Sequence, residues 1–118
     1  MSARKQRLLR LVANSDNTFE RRVSRGEEVL QGKCIHCQRK LTLDLDGRAL
    51  GDATLEHIIP RHHGGTDDLE NLAIACARCN SEKGLRHDHK SKDDPALRAV
   101  IETLEARRRA RFRDPDRS

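Results

Sequence analysis

The chain's only four cysteines stand as two pairs, Cys34-x-x-Cys37 and Cys76-x-x-Cys79. Thiolates are soft ligands, and two such pairs can close one tetrahedral site around a zinc ion. Two disulfides would use the same residues. However, Met1-Ser2-Ala3-Arg4-Lys5 leads into no apolar segment or small-residue cleavage site, so the expected compartment is the reducing cytoplasm. A redox Cys-x-x-Cys would leave the second pair unexplained. Structural zinc is therefore expected at Cys34, Cys37, Cys76 and Cys79. Such sites bind zinc with ~10–16 kcal/mol at neutral pH, whereas whole domains are stable by ~5–15 kcal/mol. On that comparison the ion decides whether the chain folds. Four thiolates complete the site, so His36 inside the first pair is expected to be a solvated loop residue.

Between the pairs run Leu55-Glu56-His57-Ile58-Ile59-Pro60, then Gly64-Gly65, then Asn71. The second pair continues as Cys76-Ala77-Arg78-Cys79-Asn80-Ser81-Glu82-Lys83-Gly84. This order resembles the HNH endonuclease family. The family pattern runs acidic-His-(Ile/Val)-(Ile/Val)-Pro, Gly-Gly, Asn, then Cys-x-x-Cys followed by His or Asn. The resemblance covers about residues 34–84 and leaves both flanks unassigned. It implies an α+β chain with a small ββα-metal core stapled by a four-cysteine zinc.

The resemblance also implies metal-assisted hydrolysis of a DNA phosphodiester. His57 would be the general base, because an imidazole can take a proton from water at neutral pH. Glu56 and Asn80 would hold a hard divalent cation, magnesium or another, through oxygen. Asn80 stands where the family more often has His, and Glu56 where it usually has Asp. Asn71 would hold a loop by backbone hydrogen bonds and so orient His57. The zinc would set the start of the helix that presents Asn80. Neighbours on a regular strand face opposite sides, so Glu56 and His57 share one phosphate only if the strand ends or bulges there. Pro60 makes an irregular end the expectation.

These residues need elements to position them. Leu8, Leu11 and Val12 share a helical face within residues 3–13. Asn14-Ser15-Asp16-Asn17 can cap a second helix over 18–31, ended by Gly32. Leu41, Leu43 and Leu45 alternate as in a strand, Asp46-Gly47 signals a turn, and 53–59 reads as the returning strand. A loop follows over 61–68, then the apolar anchors Leu69, Leu72 and Ile74, then a short helix from Cys76 toward Gly84. A polar linker over 87–93 leads to Asp94-Pro95, a cap and first-turn pair. Leu97, Val100, Ile101 and Leu104 make the stripe of a docking helix. The core is thus framed by residues 1–33 (a basic helical segment), 34–90 (the nuclease core) and 91–118 (an amphipathic helix with an arginine-rich end).

The 24 Lys and Arg against 19 Asp and Glu leave a formal charge of +5. Residues 1–33 carry 8 basic and 4 acidic side chains, 34–90 carry 8 and 9, and 91–118 carry 8 and 6, so the excess sits in the flanks. A basic surplus suits a polyanion, here DNA. Candidate phosphate contacts are His62, Lys83 and the run Arg107-Arg108-Arg109. Only Phe112 is near that run, so it offers no base-stacking platform. No apolar run approaches the ~20 residues of a membrane span. A homodimer or a protein partner that delivers substrate stays open. A non-catalytic, zinc-stapled nucleic-acid-binding module explains the cysteines and the charge equally well, but not the placing of Glu56, His57 and Asn80. A zinc deaminase needs His-x-Glu and an open zinc position, and the chain has neither.

Overall fold

In the computed structural model, which describes residues 2–115, the Ser2 hydroxyl accepts from the Lys5 amide at 3.1 Å and starts helix α1 (Ala3–Asn14). Leu9, Val12 and Ala13 of α1 are buried. A helix is expected over 18–31, but the chain forms a β-hairpin there: β1 (Glu20–Ser24) and β2 (Glu27–Lys33), antiparallel. Its two turn residues, Arg25 and Gly26, both have positive φ, which suits the twist of a two-residue hairpin turn. No residue of β1 is buried, so no apolar face marks it as a strand in the sequence. Gly32 is a strand residue, not a helix end. A Cβ there would lie 2.2 Å from the ring of the fully buried Phe19.

Strand pairing also differs from expectation. β3 (Lys40–Asp44) pairs with β2, not with the strand that follows it. After Asp46-Gly47 the chain returns only to an isolated bridge between Ala49 and Leu43. β4 (Ala53–His57) pairs instead with β5 (Leu72–Cys76), from Ala53 opposite Cys76 to His57 opposite Leu72. Every residue of β5 is buried, so it shows no alternation for a sequence reading to detect. Helix α2 (Ala77–Lys83) follows directly and completes a ββα unit. It runs on into a π-helical turn, Gly84–Asp88, whose last two residues fall in the linker expected over 87–93.

The Asp94 side chain accepts from the amides of Ala96 and Leu97, and Pro95 opens α3 (Pro95–Arg111). Leu97, Ile101 and Leu104 are its buried stripe. The architecture is α+β, with three helices and two small antiparallel sheets. One core unites Leu9 and Val12 of α1, Leu41 and Leu43 of β3, Leu72 and Ile74 of β5, and Leu97 and Leu104 of α3. Fully burying each such side chain contributes ~1.5–3 kcal/mol.

The arginine-rich end of α3 works inside the molecule. Arg108 is 1% exposed. Its guanidinium donates to Leu72 O at 2.7 Å, Leu69 O at 3.2 Å, Ser15 O at 2.9 Å and Ser15 Oγ at 2.6 Å. Arg107 donates to Ile35 O at 3.2 Å and His36 O at 3.1 Å. Arg111 donates to Lys33 O at 2.9 Å and Gln38 Oε1 at 2.9 Å. The expectation that Arg108 contacts phosphate is corrected: its donors are turned inward onto carbonyls. Arg107 spends only Nη1 in this way, at the first cysteine pair, and is exposed. Arg109 is exposed.

Candidate active site and metal centre

The first cysteine pair forms the turn between β2 and β3, and the second spans the join of β5 and α2. None of the four is in a disulfide, and their Sγ atoms lie within 4.8 Å of one another. Four Zn–S bonds of ~2.3 Å would hold tetrahedral sulfurs roughly 3.8 Å apart, so the set fits a thiolate-preferring ion such as zinc. Backbone N–H groups already point at sulfur. His36 and Cys76 donate to Cys34 Sγ at 3.4 and 3.3 Å, and Cys79 donates to Cys76 Sγ at 3.5 Å. Burial, then the neighbouring Cys76 and Cys34, pushes the Cys79 thiol up, and burial raises Cys34 too. The Arg39 amide draws the exposed Cys37 down to about 7. A cation among the sulfurs relieves the crowding that opposes ionisation.

β4 stays regular through His57, which pairs with Leu72, so Glu56 and His57 leave the strand on opposite faces. The irregular end expected from Pro60 does not begin early enough to bring them together. Glu56 is 1% exposed, and its Oε1 accepts from His36 Nε2–H at 2.6 Å. His36 is therefore not a solvated loop residue; the cysteine turn carries its ring onto the strand. Glu56 Oε2 is buried without a hydrogen-bond partner among the described residues. A lone carboxylate oxygen in the interior is costly unless a cation, proton or water meets it.

Asn80 lies on α2. Its Nδ2 donates to Thr54 Oγ1 at 3.0 Å and Leu55 O at 3.2 Å, leaving Oδ1 as the acceptor. Glu56 Oε2 and Asn80 Oδ1 are hard oxygen donors of the kind a magnesium-like ion takes, so the residues present fit such an ion. Lys83, expected at the substrate, is 3% exposed. Its Nζ donates to His57 O at 3.2 Å and Asp88 Oδ1 at 2.8 Å. Ile58 N–H bonds across the hairpin to Asn71 O, so the alternating pattern turns the Leu55 and His57 carbonyls to the open edge of β4. Asn80 and Lys83 occupy that edge.

The His57 side chain is 20% exposed, and its Nε2–H donates to Asp67 Oδ1 at 2.7 Å. Asp67 Oδ2 pairs with Arg4 of α1, and Arg61 stands 3.8 Å from it. The His57 hydrogen bond, then Arg4, holds the Asp67 carboxyl down at about 2. Sequence reasoning leaves Asp67 within a loop. Its signal was faint, an acidic residue just past Gly64-Gly65 on the segment that must fold back toward His57. A cleft of about 110 Å³ beside the ring is lined by Arg4, Lys5, Leu8, His57, Arg61 and Asp67.

Asn71 closes the loop that follows β4. Its Oδ1 accepts from Ile59 N at 2.9 Å, and its Nδ2 donates to Ile59 O at 3.2 Å and Thr66 O at 2.9 Å. Gly65 permits this closure, since a Cβ there would lie 1.8 Å from Ile59 O. His62 and His63 both donate through Nε2 to Asp88 O, at 2.7 and 3.1 Å, and tie the loop to the π-helical turn. The His62 nitrogen expected at phosphate is thus engaged by backbone. Glu56 and His57 leave β4 on opposite faces, Asp67 meets His57, Asn80 sits at the open edge, and Asn71 holds the loop beyond.

Among the described residues no helix is long and apolar enough to cross a membrane. Residues 34–86 match the model of the HNH endonuclease family. No curated protein and no solved structure matches the chain.

Proposed function

Taking residues 34–86 as an HNH endonuclease domain, we propose that this chain is a metal-dependent DNA endonuclease that hydrolyses phosphodiester bonds. One observation carries the reading. The four residues named by the motif all act on the end of β4: Glu56 and His57 lie within it, Asn80 holds Leu55 O, and Asn71 clamps Ile59. The cleft beside His57 is lined with Arg4, Lys5 and Arg61, which suits a phosphate backbone. His57 takes a proton from the attacking water. Lys83 and Asn71 fix the backbone on either side of that ring. Glu56 and Asn80 would hold a divalent cation, magnesium foremost, which when bound would supply charge neutralisation and stabilisation of a leaving oxygen. The four-cysteine ion is zinc with a structural role, and it anchors both the start of α2 and the turn that carries His36.

The second reading, a zinc-stapled nucleic-acid-binding module without catalysis, has its own observation. Glu56 and His57 project from opposite faces of β4, and Glu56 is buried. Relaxation of supercoiled plasmid with magnesium or manganese decides between the two. The endonuclease reading expects nicking by the parent. It expects a loss on the order of 10²–10⁴-fold in His57→Ala, with fold and zinc content kept. Equal nicking by parent and His57→Ala removes the proposed base. Binding without nicking under every divalent metal selects the second reading.

A further inference from the structure

The ring of His57 is held by a side chain, and that side chain is held in turn. Asp67 Oδ1 lies 2.7 Å from Nε2, and a carboxylate can only accept. The ring hydrogen therefore sits on Nε2, and the lone pair of the neutral imidazole sits on Nδ1. Asp67 Oδ2 is taken by Arg4, with Arg61 beyond it at 3.8 Å. Asp67 also has a fixed origin: Asn71 holds the carbonyl of the preceding Thr66, and Gly65 packs on Ile59 O. A base, a carboxylate that orients it and a partner that anchors the carboxylate make up the logic of a hydrolytic triad. Arg4 lies before the residues matched to the family.

We infer that Asp67 is a positioning residue that fixes His57 as the Nε2–H tautomer with Nδ1 offered to water, and that Arg4 of helix α1 completes the active site by holding Asp67. For catalysis this rests on the endonuclease reading above; for the state of the ring it does not. When Nδ1 accepts a proton from water, the new positive charge faces the Asp67 carboxylate. The Asp67 carboxyl sits at about 2, so it stays ionised at neutral pH. Helix α1 then serves as part of the catalytic apparatus and not as a flank.

The test uses the full, zinc-loaded chain labelled with ¹⁵N. Long-range ¹H–¹⁵N spectra report which nitrogen of His57 carries hydrogen, at a pH where the ring is neutral. Plasmid nicking supplies kcat and KM separately. The parent is expected to show the Nε2–H tautomer. In Asp67→Asn the hydrogen shifts to Nδ1 in part or in full, and kcat falls on the order of 10²–10⁴-fold while KM changes little. Arg4→Ala moves the tautomer in the same sense and lowers kcat about tenfold. Circular dichroism and zinc content confirm that each variant is folded. An Nε2–H signal and a kcat unchanged in folded Asp67→Asn overturn the inference. If the parent cuts under no divalent metal, the endonuclease reading fails, and the spectra still decide. Loss of the Nε2–H tautomer in both variants then supports the positioning role, and identical spectra overturn it.

Discussion

Arg108 near the end of α3 holds Ser15 just after α1, donating from Nη1 to its carbonyl at 2.9 Å and from Nη2 to its hydroxyl at 2.6 Å. The same guanidinium reaches Leu72 O and Leu69 O. One side chain thus ties both flanks to the start of β5. Arg108→Ala leaves these acceptors without partners in the interior and is expected to cost about 3–5 kcal/mol. Urea denaturation of the zinc-loaded protein measures it. Arg108→Lys keeps the charge but loses the planar fork, so it should fall between parent and alanine variant. A loss below about 1 kcal/mol for alanine would contradict this account.

One ion per chain is expected at the four sulfurs. Cys76→Ser removes a buried ligand whose backbone N–H also bonds Cys34 Sγ. Binding of ~10–16 kcal/mol exceeds the stability of most domains, so the variant should be unfolded at room temperature. Metal analysis and far-ultraviolet circular dichroism read the two quantities. A folded Cys76→Ser protein with a sharp thermal transition would refute the staple.

Asn71→Asp is expected to do as much harm as Asn71→Ala. The carboxylate still accepts from Ile59 N–H, but it can no longer donate to the carbonyls of Ile59 and Thr66, and it repels them. Each variant should lose about 2 kcal/mol. Hydrogen exchange at the Ile59 amide, faster in both variants, locates the damage.

The Asp67 contacts carry a pH signature. Its carboxyl is depressed from 3.8 to about 2, with the His57 hydrogen bond as the larger cause and Arg4 second. A depressed acid stabilises the fold fully above its unfolded value and loses that contribution as pH falls through the folded one. The stability difference between parent and Asp67→Asn should therefore not diminish from neutral pH down to about 4, and it should shrink toward pH 2. The comparison holds at each pH where both proteins remain folded with the metal bound. A difference that shrinks between pH 7 and pH 5 would point to another group.

Residues with strong local signals declared their structure. The cysteine spacing, the Asp94-Pro95 start of α3 and the stripe of α1 are local patterns, and each has its counterpart in the fold. The hairpin over 20–33 was hidden because β1 is exposed on both faces and shows no period. The pairing of β4 with β5 was hidden because β5 is buried on both faces and equally shows none. At the site, residue types could be read but directions could not. Nothing in the order of letters states that His36 faces Glu56, that Lys83 turns inward to His57 O, or that Arg4 meets Asp67. These contacts join segments far apart in the chain and depend on how the sheets and helices stack.

The internal arginines change what the composition says about salt. The affinity of a protein for a polyanion weakens with ionic strength in proportion to the phosphates it contacts, not to its formal charge. Arg108 and Arg111 count toward the +5, yet they are buried and their hydrogen bonds are made to the protein's own oxygens. If the chain binds DNA as proposed, it should do so with a smaller effective valence than its titration charge suggests, and the association should be less sensitive to added electrolyte than that of a tail with the same arginines in solvent.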